Sequence, residues 1–495
     1  MSAVAVLASL GVLVTLLVHG RIPSAYLFTG LAGGYYLTGL LDQRVWLAGY
    51  TNPALATLVL LLLVSVVLER TALLDRLADA LLKGQRPAIA QFRLTSATAV
   101  ASAFLNNTAV VGVMLGVIGR QKHMVASRLL LPLSYASVLG GIVTLVGTST
   151  NMVVNSFVVS AGLPALGMFT FAWVGLPVAL LCLLVLLVSA RKLPMRDGVA
   201  EPSTLQEDIP NSHLMEVVIA SQSSLINQTL RSVAFKSMFD ATVLGIRRGD
   251  QPLGGDLADI PLHMGDCLQL VVSPGFANHH NLERNFHRVN GMPWSPRLKR
   301  WESAVVFGGF GCAILLATFE WASLLASLLV MLALMLGLGI VSPAEMRRRF
   351  PFDLLLIIGS SLGIAQVLES TGAAGLVAEG VRSLFDGYGA FGALVGIYLL
   401  TLLLTELVTN NAAAALAFPM ALSTAQAFGV DPMPFIMVVA YGASACFLMP
   451  FGYQTHLIVY TPGRYRVWDF VRAGWPVSLV YSVSVLVMVP LVFPF

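Results

Sequence analysis

The sequence predicts an α-helical polytopic membrane protein. It would be an inverted repeat of five spans and one re-entrant hairpin per half, with a small cytoplasmic α/β insert. Three observations lead to this prediction. Hydrophobic residues make up 57% of the 495 positions and charged residues only 11%, whereas a soluble domain carries about 25% charged residues. Short polar motifs recur in the same order about 300 residues apart. Between the two copies, residues 191–300 have a different, more polar composition.

Composition also argues against several classes of protein. The net charge of +4 is small and comes from scattered loop arginines, so we expect no nucleic-acid partner. The first hydrophobic run lacks a basic leader and a small-residue cleavage site, and we interpret it as a span and not a signal peptide. Four widely separated cysteines predict neither a disulfide framework nor a metal site; they are Cys182, Cys267, Cys312 and Cys446.

Apolar segments of about 20 residues are needed to cross a bilayer. We predict ten crossings, at residues 3–19, 24–41, 53–69, 128–161, 166–190, 302–319, 321–341, 352–368, 433–461 and 473–493. Of these, 128–161 and 433–461 are long and interrupted. Two further apolar stretches, 88–119 and 388–428, are divided at mid-length by polar residues.

The basic residues predict the orientation, because they concentrate in cytoplasmic loops. Segment 70–93 carries five of them and segment 120–128 carries three. If both lie in the cytoplasm, the stretch 88–119 must enter the membrane and return, as a re-entrant hairpin does. The same counting places both termini outside the cell membrane and residues 191–300 in the cytoplasm.

Three motif pairs define the internal repeat. Residues 68–71, 106–109 and 147–151 recur as 368–371, 409–412 and 452–456. The amphipathic segment 70–86 carries four basic residues but its counterpart 370–385 carries only Arg382, so the two segments should lie on opposite sides. An inverted repeat of this kind is typical of secondary transporters. We therefore divide the chain into a first transmembrane repeat (1–190), a linker and insert (191–300) and a second repeat (301–495).

The sequence predicts that the insert is a small α/β domain with its core at residues 212–275. Apolar alternation bounded by glycine and aspartate predicts short strands, with a helix-like stretch at 225–235. The segment resembles the TrkA C-terminal (RCK-C) domain, including the pair Arg247 and Arg248. That resemblance implies a dimerising insert, or one that binds a small regulatory ligand.

The hairpin tips contain the residues that we expect to bind substrate and ions. A polar cluster at membrane depth is costly unless it lines a cavity. The tips contain Asn106, Asn107 and Thr108 in the first half and Thr409, Asn410 and Asn411 in the second. A helix N-terminus can bind an anion through free N–H groups without lysine or arginine, and neither tip contains either residue. The amide and hydroxyl oxygens can also coordinate sodium.

A hydroxyl residue lies four positions before each tip, on the same helix face: Ser102 in the first half and Thr405 in the second. The interrupted crossings supply the rest. Gly140-Gly141 and residues 147–151 in the first half, and residues 450–455 in the second, would unwind the helices and expose carbonyl groups.

These motifs resemble the divalent anion:sodium symporter (DASS) family of the ion transporter superfamily, whose hallmark is Ser-Asn-Thr at each tip. The resemblance implies one sodium site at Ser102, Asn107 and Gly147 and another at Thr405, Asn410 and Gly452. It implies that sodium is the coupling ion, that no further cofactor is present, and that homodimers move substrate by an elevator-type motion. The implied substrate ligands are Asn106, Asn107, Thr108, Thr148, Thr409, Asn410, Asn411, Gln454 and Thr455.

The sequence departs from that hallmark at both tips, with Asn106 in place of serine and Asn411 in place of threonine. The Phe-Gly-Tyr-Gln-Thr string at 451–455 resembles sulfate-type members, which favours sulfate. Dicarboxylate or taurine transport, proton coupling or exchange, and a sensor that signals through the insert remain alternatives. An enzyme is not expected, because the membrane part shows no nucleophile–base pair, metal cluster or phosphate loop.

Two titratable residues near the second tip allow two interpretations each. His456 can titrate with pH or donate one hydrogen bond, and we favour the second. Glu406 can help to bind a cation or proton, or it can accept hydrogen bonds from the neighbouring backbone.

Overall fold

The computed structural model describes residues 3–19, 22–71, 87–119, 126–189, 213–220, 223–249, 251–254, 256–272, 276, 279, 282–288, 298–384 and 387–495. Three of the segments used above to predict the orientation lie mostly outside these residues: 70–86, 120–128 and the linker 191–212. Their cytoplasmic placement therefore stays a prediction.

The first half is a succession of nine helices within the described residues. They are α1 Ala3–His19, α2 Ser24–Leu37, α3 Gln43–Tyr50, α4 Pro53–Glu69, α5 Pro87–Ser102, α6 Asn107–Gly119, α7 Leu130–Gly141, α8 Ser149–Ser160 and α9 Ala172–Ser189.

The second half repeats this order after the insert, which itself contributes α10 Phe235–Phe239 and α11 Leu282–Asn285. Its helices are α12 Arg300–Thr318, α13 Leu324–Gly337, α14 Pro343–Arg349, α15 Phe352–Ser370, α16 Ala373–Leu384, α17 Gly389–Leu407, α18 Asn410–Phe428, α19 Met433–Ala443, α20 Gln454–Tyr460 and α21 Val467–Val492.

The predicted class, an α-helical polytopic membrane protein, is confirmed. Six helices in the described part of the chain are long and apolar enough to cross a bilayer, and three shorter apolar helices accompany them. The first is the continuous stretch Gln43–Leu68, which comprises α3 and nearly all of α4; the others are Ala172–Ser189, Arg300–Thr318, Phe352–Ser370, Gly389–Leu407 and Val467–Val492.

The sequence analysis missed two short helices, α3 and α14, each just before a long apolar helix. They are too short for a hydropathy window, but both have side-chain caps at their N-termini. Asp42 accepts a hydrogen bond from the Arg44 N–H (2.7 Å), and Ser342 accepts one from the Glu345 N–H (3.1 Å).

Each half contains two pairs of helices, and the two helices of each pair are separated by a short non-helical segment with polar residues. Helices α5 and α6 break at the first tip, and α17 and α18 break at the second; α7–α8 and α19–α20 are separated by loops 142–148 and 444–453. Helix α5 packs against α7, and α17 packs against α18 and α19. Each hairpin therefore lies beside the broken helix of its own half.

The insert is a five-stranded antiparallel sheet in the order β3-β2-β4-β1-β5. Its strands are β1 His213–Ile219, β2 Ala241–Arg248, β3 Gln251–Pro252, β4 Cys267–Val272 and β5 Phe286–Arg288. The sheet thus continues past residue 275, where the sequence pattern placed the end of the core. The predicted helix at 225–235 is wrong: this stretch forms turns and a bridge from Thr229 to Pro261, and the helix is α10. The pattern misled because Leu225 and Phe235 enter the core from separate turns.

One face of this sheet packs against the membrane helices. Val218 and Cys267 belong to the same buried cluster as those helices, whereas Val217 and Leu268, on the other face, belong to the insert's own core. The Thr461 hydroxyl, directly after α20, donates to the Gly265 carbonyl (2.6 Å). The insert is therefore docked beside α20, the helix that carries Gln454 and Thr455.

Candidate functional site

The first hairpin tip places Asn107 at the start of α6. The side chain of Asn106 accepts a hydrogen bond from the Thr108 N–H (2.9 Å), which caps the helix. Asn107 is buried, with 3% of its surface exposed, and its side-chain amide makes a short hydrogen bond with the Ser102 hydroxyl. The structure thus brings Ser102 and Asn107 into contact, as their spacing predicts.

The Asn107 side-chain amide lies among oxygen atoms of three other residues. Carbonyl oxygens only accept hydrogen bonds, so we assign the amide nitrogen to the side that faces them, where it donates to the Ser137 carbonyl (3.2 Å), the Gly147 carbonyl (3.1 Å) and the Ser102 hydroxyl. The oxygen atoms of Ser102, Ser137 and Gly147 therefore converge at the first tip.

Glycines allow this close approach. A Cβ on Gly140 would lie 2.1 Å from the Ala99 carbonyl oxygen, one on Gly141 would lie 2.7 Å from the Asn107 amide, and one on Gly147 would lie 2.5 Å from the Gly141 carbonyl oxygen. We expected Gly140 and Gly141 to unwind the helix. Helix α7 does end at Gly141, but the structure gives these glycines the further role of making room for the tip.

The second tip repeats the arrangement with different atoms. Asn410, 4% exposed, begins α18. The Thr405 hydroxyl lies 2.9 Å from the Asn410 amide oxygen and 2.5 Å from the Ala443 carbonyl oxygen. A Cβ on Gly452 would lie 3.0 Å from the Thr405 carbonyl oxygen, so the glycine brings its loop against the hairpin. Three oxygen atoms therefore converge here as well.

Each tip also bonds to the broken helix of the other half. The Asn107 side-chain amide accepts a hydrogen bond from the Tyr453 hydroxyl (2.7 Å), and the Thr108 hydroxyl donates to the Gln454 side-chain oxygen (3.2 Å). In the reverse direction, Ser149 and Thr150 each donate to the Asn411 side-chain oxygen (3.3 Å). The two tips and the two loops therefore form one polar site.

The proposed substrate residues differ in accessibility. Thr409 and Gln454 are exposed, and Asn106, Thr108 and Asn411 are half-buried. These five side chains form the open part of the site.

Besides Asn107 and Asn410, two further predicted substrate residues are buried, behind that open part. Thr455 has no exposed surface, and its hydroxyl lies 3.0 Å from the Ser134 hydroxyl. Thr148, 6% exposed, is hydrogen-bonded to the Tyr453 hydroxyl. Both support the loops from behind the open face.

His456 is fully buried between two fixed partners. Its Nε2 lies 2.6 Å from the Cys446 carbonyl oxygen, and its Nδ1 lies 2.7 Å from the Ser134 hydroxyl. A carbonyl oxygen can only accept, so we assign the proton to Nε2, and a neutral ring then satisfies both contacts. This geometry fits the interpretation of His456 as a hydrogen-bond donor.

Glu406 binds the backbone of the second loop. Its carboxylate accepts hydrogen bonds from the N–H groups of Phe447 (3.0 Å), Leu448 (3.0 Å) and Met449 (2.9 Å). All three donors are backbone N–H groups. The arrangement fits the interpretation that Glu406 accepts hydrogen bonds from the neighbouring backbone, and it fixes the loop against the hairpin.

The sequence analysis missed two residues of the site. Tyr453 aligns with Thr148 in the internal repeat, and that position was a signal for its role. Ser137 contributes only its backbone carbonyl, for which a side-chain pattern offers no signal.

Comparison with known proteins places this chain in a family of carriers. The sequence profile of the citrate transporter family (CitMHS) matches residues 3–442. An uncharacterized transporter of Synechocystis sp. is 26% identical, over 92% of this chain and 91% of that protein. A putative sulfur deprivation response regulator of Chlamydomonas reinhardtii is 26% identical, over 92% of this chain and 95% of its own length.

A third relative covers part of the chain. Sodium/sulfate cotransporter 1 of Chlamydomonas reinhardtii is 32% identical over 53% of this chain, which corresponds to 31% of that protein. The family, the Synechocystis relative and the cotransporter are transporters and not enzymes. With its apolar helices and its paired polar tips, the chain is a multi-pass membrane transporter that belongs to the citrate transporter family.

Proposed function

We propose that this protein is a secondary active transporter of the divalent anion:sodium symporter type, which couples sodium entry to uptake of a small divalent anion. Sulfate is the favoured substrate. The names of the sodium/sulfate cotransporters of Chlamydomonas reinhardtii support this choice, and the structural argument comes from the site itself.

The oxygen cluster at Asn107 carries the proposal. Hard cations prefer oxygen ligands, and the similarly sized Ca²⁺ takes them at about 2.3–2.6 Å, which places neighbouring ligand oxygens roughly 3.0–3.7 Å apart. The side-chain amide of Asn107 lies 3.1 and 3.2 Å from the Gly147 and Ser137 carbonyl oxygens, which is within this range. We assign the first sodium to Ser102, Asn107 and Gly147, with the Ser137 carbonyl added, and the second to Thr405, Asn410 and Gly452.

The anion would lie between the two tips. Helices α6 and α18 begin there, and helix N-termini favour negative charge. The side chains that face the open part offer amide and hydroxyl donors, and two sodium ions would supply the positive charge that the tips lack. A dianion such as sulfate then balances the site, and loss of either ion weakens binding.

We further propose that the protein works as a homodimer in the cell membrane, with the insert in the cytoplasm, both termini outside, and an elevator-type motion of the tip-bearing helices. The contacts of each tip with the opposite half support this motion, since they tie the hairpins and broken helices into one unit. Whether the insert binds a small regulatory ligand is a separate proposal that rests on its RCK-C resemblance.

Two alternatives have specific support. The description of the family profile favours citrate or another carboxylate. The name of the second relative and the docking of the insert beside α20 favour a sensor that reports substrate through the insert. Organosulfonate transport, proton coupling and exchange are tested by the same measurement.

The test is radiolabelled sulfate uptake into proteoliposomes, with an inward sodium gradient and then with potassium in place of sodium. We expect uptake that requires sodium and is blocked by excess unlabelled sulfate but not by succinate, citrate or taurine. Block by a carboxylate or by taurine would reassign the substrate, and uptake driven by a proton gradient alone would reassign the coupling ion. Substrate binding without any accumulation would replace the transporter by the sensor.

A further inference from the structure

One hydroxyl at the end of α20 connects this helix to the insert. Thr461 directly follows α20 and is fully buried. Its hydroxyl donates to the Gly265 carbonyl (2.6 Å) and accepts a hydrogen bond from the Gly249 N–H (3.3 Å). A single side chain of the membrane part therefore binds two turns of the insert.

The two turns fit closely against α20 because each contains a glycine. Gly249 and Gly265 have left-handed backbones (φ 61° and 84°), which favour glycine. A Cβ on Gly249 would lie 3.2 Å from the Tyr460 ring, and one on Gly265 would lie 3.3 Å from the Leu457 side chain. The insert therefore contacts the last turn of α20 with little room for a side chain.

An ion pair holds the two turns together. Arg248 ends β2 and Asp266 precedes β4, so each is the neighbour of one of the two glycines. The guanidinium binds the carboxylate through Nε (2.7 Å) and Nη2 (2.8 Å), and two parallel bonds of this kind fix the geometry. The Asp266 side chain has no exposed surface and also accepts from the His263 N–H (2.8 Å). The spacing of the turns that bind Thr461 therefore depends on this pair.

Helix α20 carries site residues at its other end. It has seven residues, which gives a length of about 10 Å. Its first residue, Gln454, accepts from the Thr108 hydroxyl (3.2 Å), and the next, Thr455, is buried behind the open part of the site. The insert also contacts α6 through β5, and α6 packs against α20. Two helices that begin at the site therefore contact the insert.

We infer that the Arg248–Asp266 pair of the insert positions α20, and with it Gln454 and Thr455, for substrate binding. This inference rests on the proposed function and deepens it by naming residues outside the membrane part that act on the site. Arg248 and Asp266 are positioning residues, because they act through the two glycine turns and Thr461. The insert is then required for full substrate affinity.

The test compares variants with the wild type in detergent. Arg248→Ala removes the ion pair, and Thr461→Val breaks the same connection from the membrane side while the pair stays intact. Arg231→Ala is the matched control, because it removes an arginine of the same insert whose pairs with Asp256 and Asp259 are exposed and contribute little. Radiolabelled sulfate binding in sodium is measured first. Hydrogen–deuterium exchange of the α20 amides, which reports local opening, is measured without ligand by mass spectrometry.

We expect Arg248→Ala and Thr461→Val each to weaken sulfate binding roughly 2- to 30-fold, the range over which residues between two sites change their coupling. Both should also speed the exchange of the α20 amides. Thr461→Ser keeps the hydroxyl and should restore both quantities, and Arg231→Ala should match the wild type.

Three results would overturn the inference. Normal sulfate affinity in Arg248→Ala and Thr461→Val would show that the insert does not act on the site. Unchanged exchange of the α20 amides would show that the pair does not position the helix. Equally weak binding in Arg231→Ala would reveal a general effect of mutations in the insert. Wild-type protein that does not bind sulfate would instead refute the proposed function, and the exchange measurement, which needs no ligand, would still decide whether the pair positions α20.

Discussion

The Asn107 side-chain amide lies 2.7 Å from the Tyr453 hydroxyl although 346 positions separate them in the chain. One residue begins a helix at the first hairpin tip, and the other precedes a helix in the second half. Because each half supplies a tip to one partner and a loop to the other, the site exists only when both halves are folded together.

The two tip asparagines should be required for transport. We expect Asn107→Ala and Asn410→Ala each to lower the apparent sodium affinity by at least roughly 10- to 100-fold, which is the effect of losing a supporting residue at a metal site. Both variants should therefore abolish uptake at moderate sodium concentration. Uptake into proteoliposomes measures this, with Asn227→Gly as the control, since Asn227 lies in the insert with a left-handed backbone (φ 61°) that glycine accepts. Wild-type rates in either tip variant would contradict the site assignment.

The glycines of α7 should tolerate no side chain. Gly140→Ala would force a methyl group to 2.1 Å from the Ala99 carbonyl oxygen, and overpacking of this kind costs about 1–3 kcal/mol. We expect a lower unfolding temperature and little uptake. Gly112→Ala on the adjacent hairpin is the control: nothing lies within 4 Å of its added Cβ, so it should leave uptake intact and stabilise its helix slightly. Equal behaviour of the two variants would show that the close approach is unimportant.

Replacement of Glu406 should lower the stability of the protein more than it changes the coupling to sodium. In Glu406→Gln the side-chain amide would turn a donor toward the Met449 N–H, which now donates to Oε2 (2.9 Å). Hydrogen bonds to charged groups contribute about 1.5–3 kcal/mol, so the unfolding temperature should fall, whereas Glu369→Gln at an exposed position should not change it. A Glu406→Gln protein of normal stability that has lost its sodium dependence would instead make Glu406 a cation ligand.

The Cys267 thiol should report whether the insert stays docked. It is 1% exposed, and burial raises its pKa to about 12. The reactive thiolate is therefore scarce near neutral pH. Alkylation by N-ethylmaleimide should be slow, and its rate should rise only as the pH approaches that pKa.

Thr461→Val removes the hydroxyl that binds Gly265 (2.6 Å) and should raise the labelling rate of Cys267 about fivefold, the factor that corresponds to roughly 1 kcal/mol. Peptide mapping by mass spectrometry measures this, with denatured protein as the reference for full labelling; fast labelling of the native wild type would refute a docked insert.

Much of the helical framework was predictable from hydropathy. Helices α1 and α4 begin and end where the predicted spans 3–19 and 53–69 do, and both tips interrupt their apolar stretches at the expected polar residues. The signal is strong because a bilayer allows few ways to satisfy a backbone. Hydrophobic periodicity predicted the insert less well. Residues 225–235 form turns that pack into the core, where the periodicity predicted a helix.

The site was predictable as a set of residues but not as a geometry. Ser102 and Asn107 are close in sequence, so a helical spacing was enough to pair them. Tyr453 and Ser137 were not predicted as ligands, because one comes from the opposite half and the other acts through its backbone.

The sequence by itself determined that this chain crosses a membrane, where its helices break, and that polar tips recur in two halves. These properties follow from local composition and short-range spacing. Only the tertiary structure decided which tip meets which loop, that Glu406 binds backbone N–H groups, that His456 lies between two fixed partners, and that the insert rests beside α20. Each of these depends on contacts between distant segments, and glycines such as Gly140 and Gly141 set how closely those segments approach.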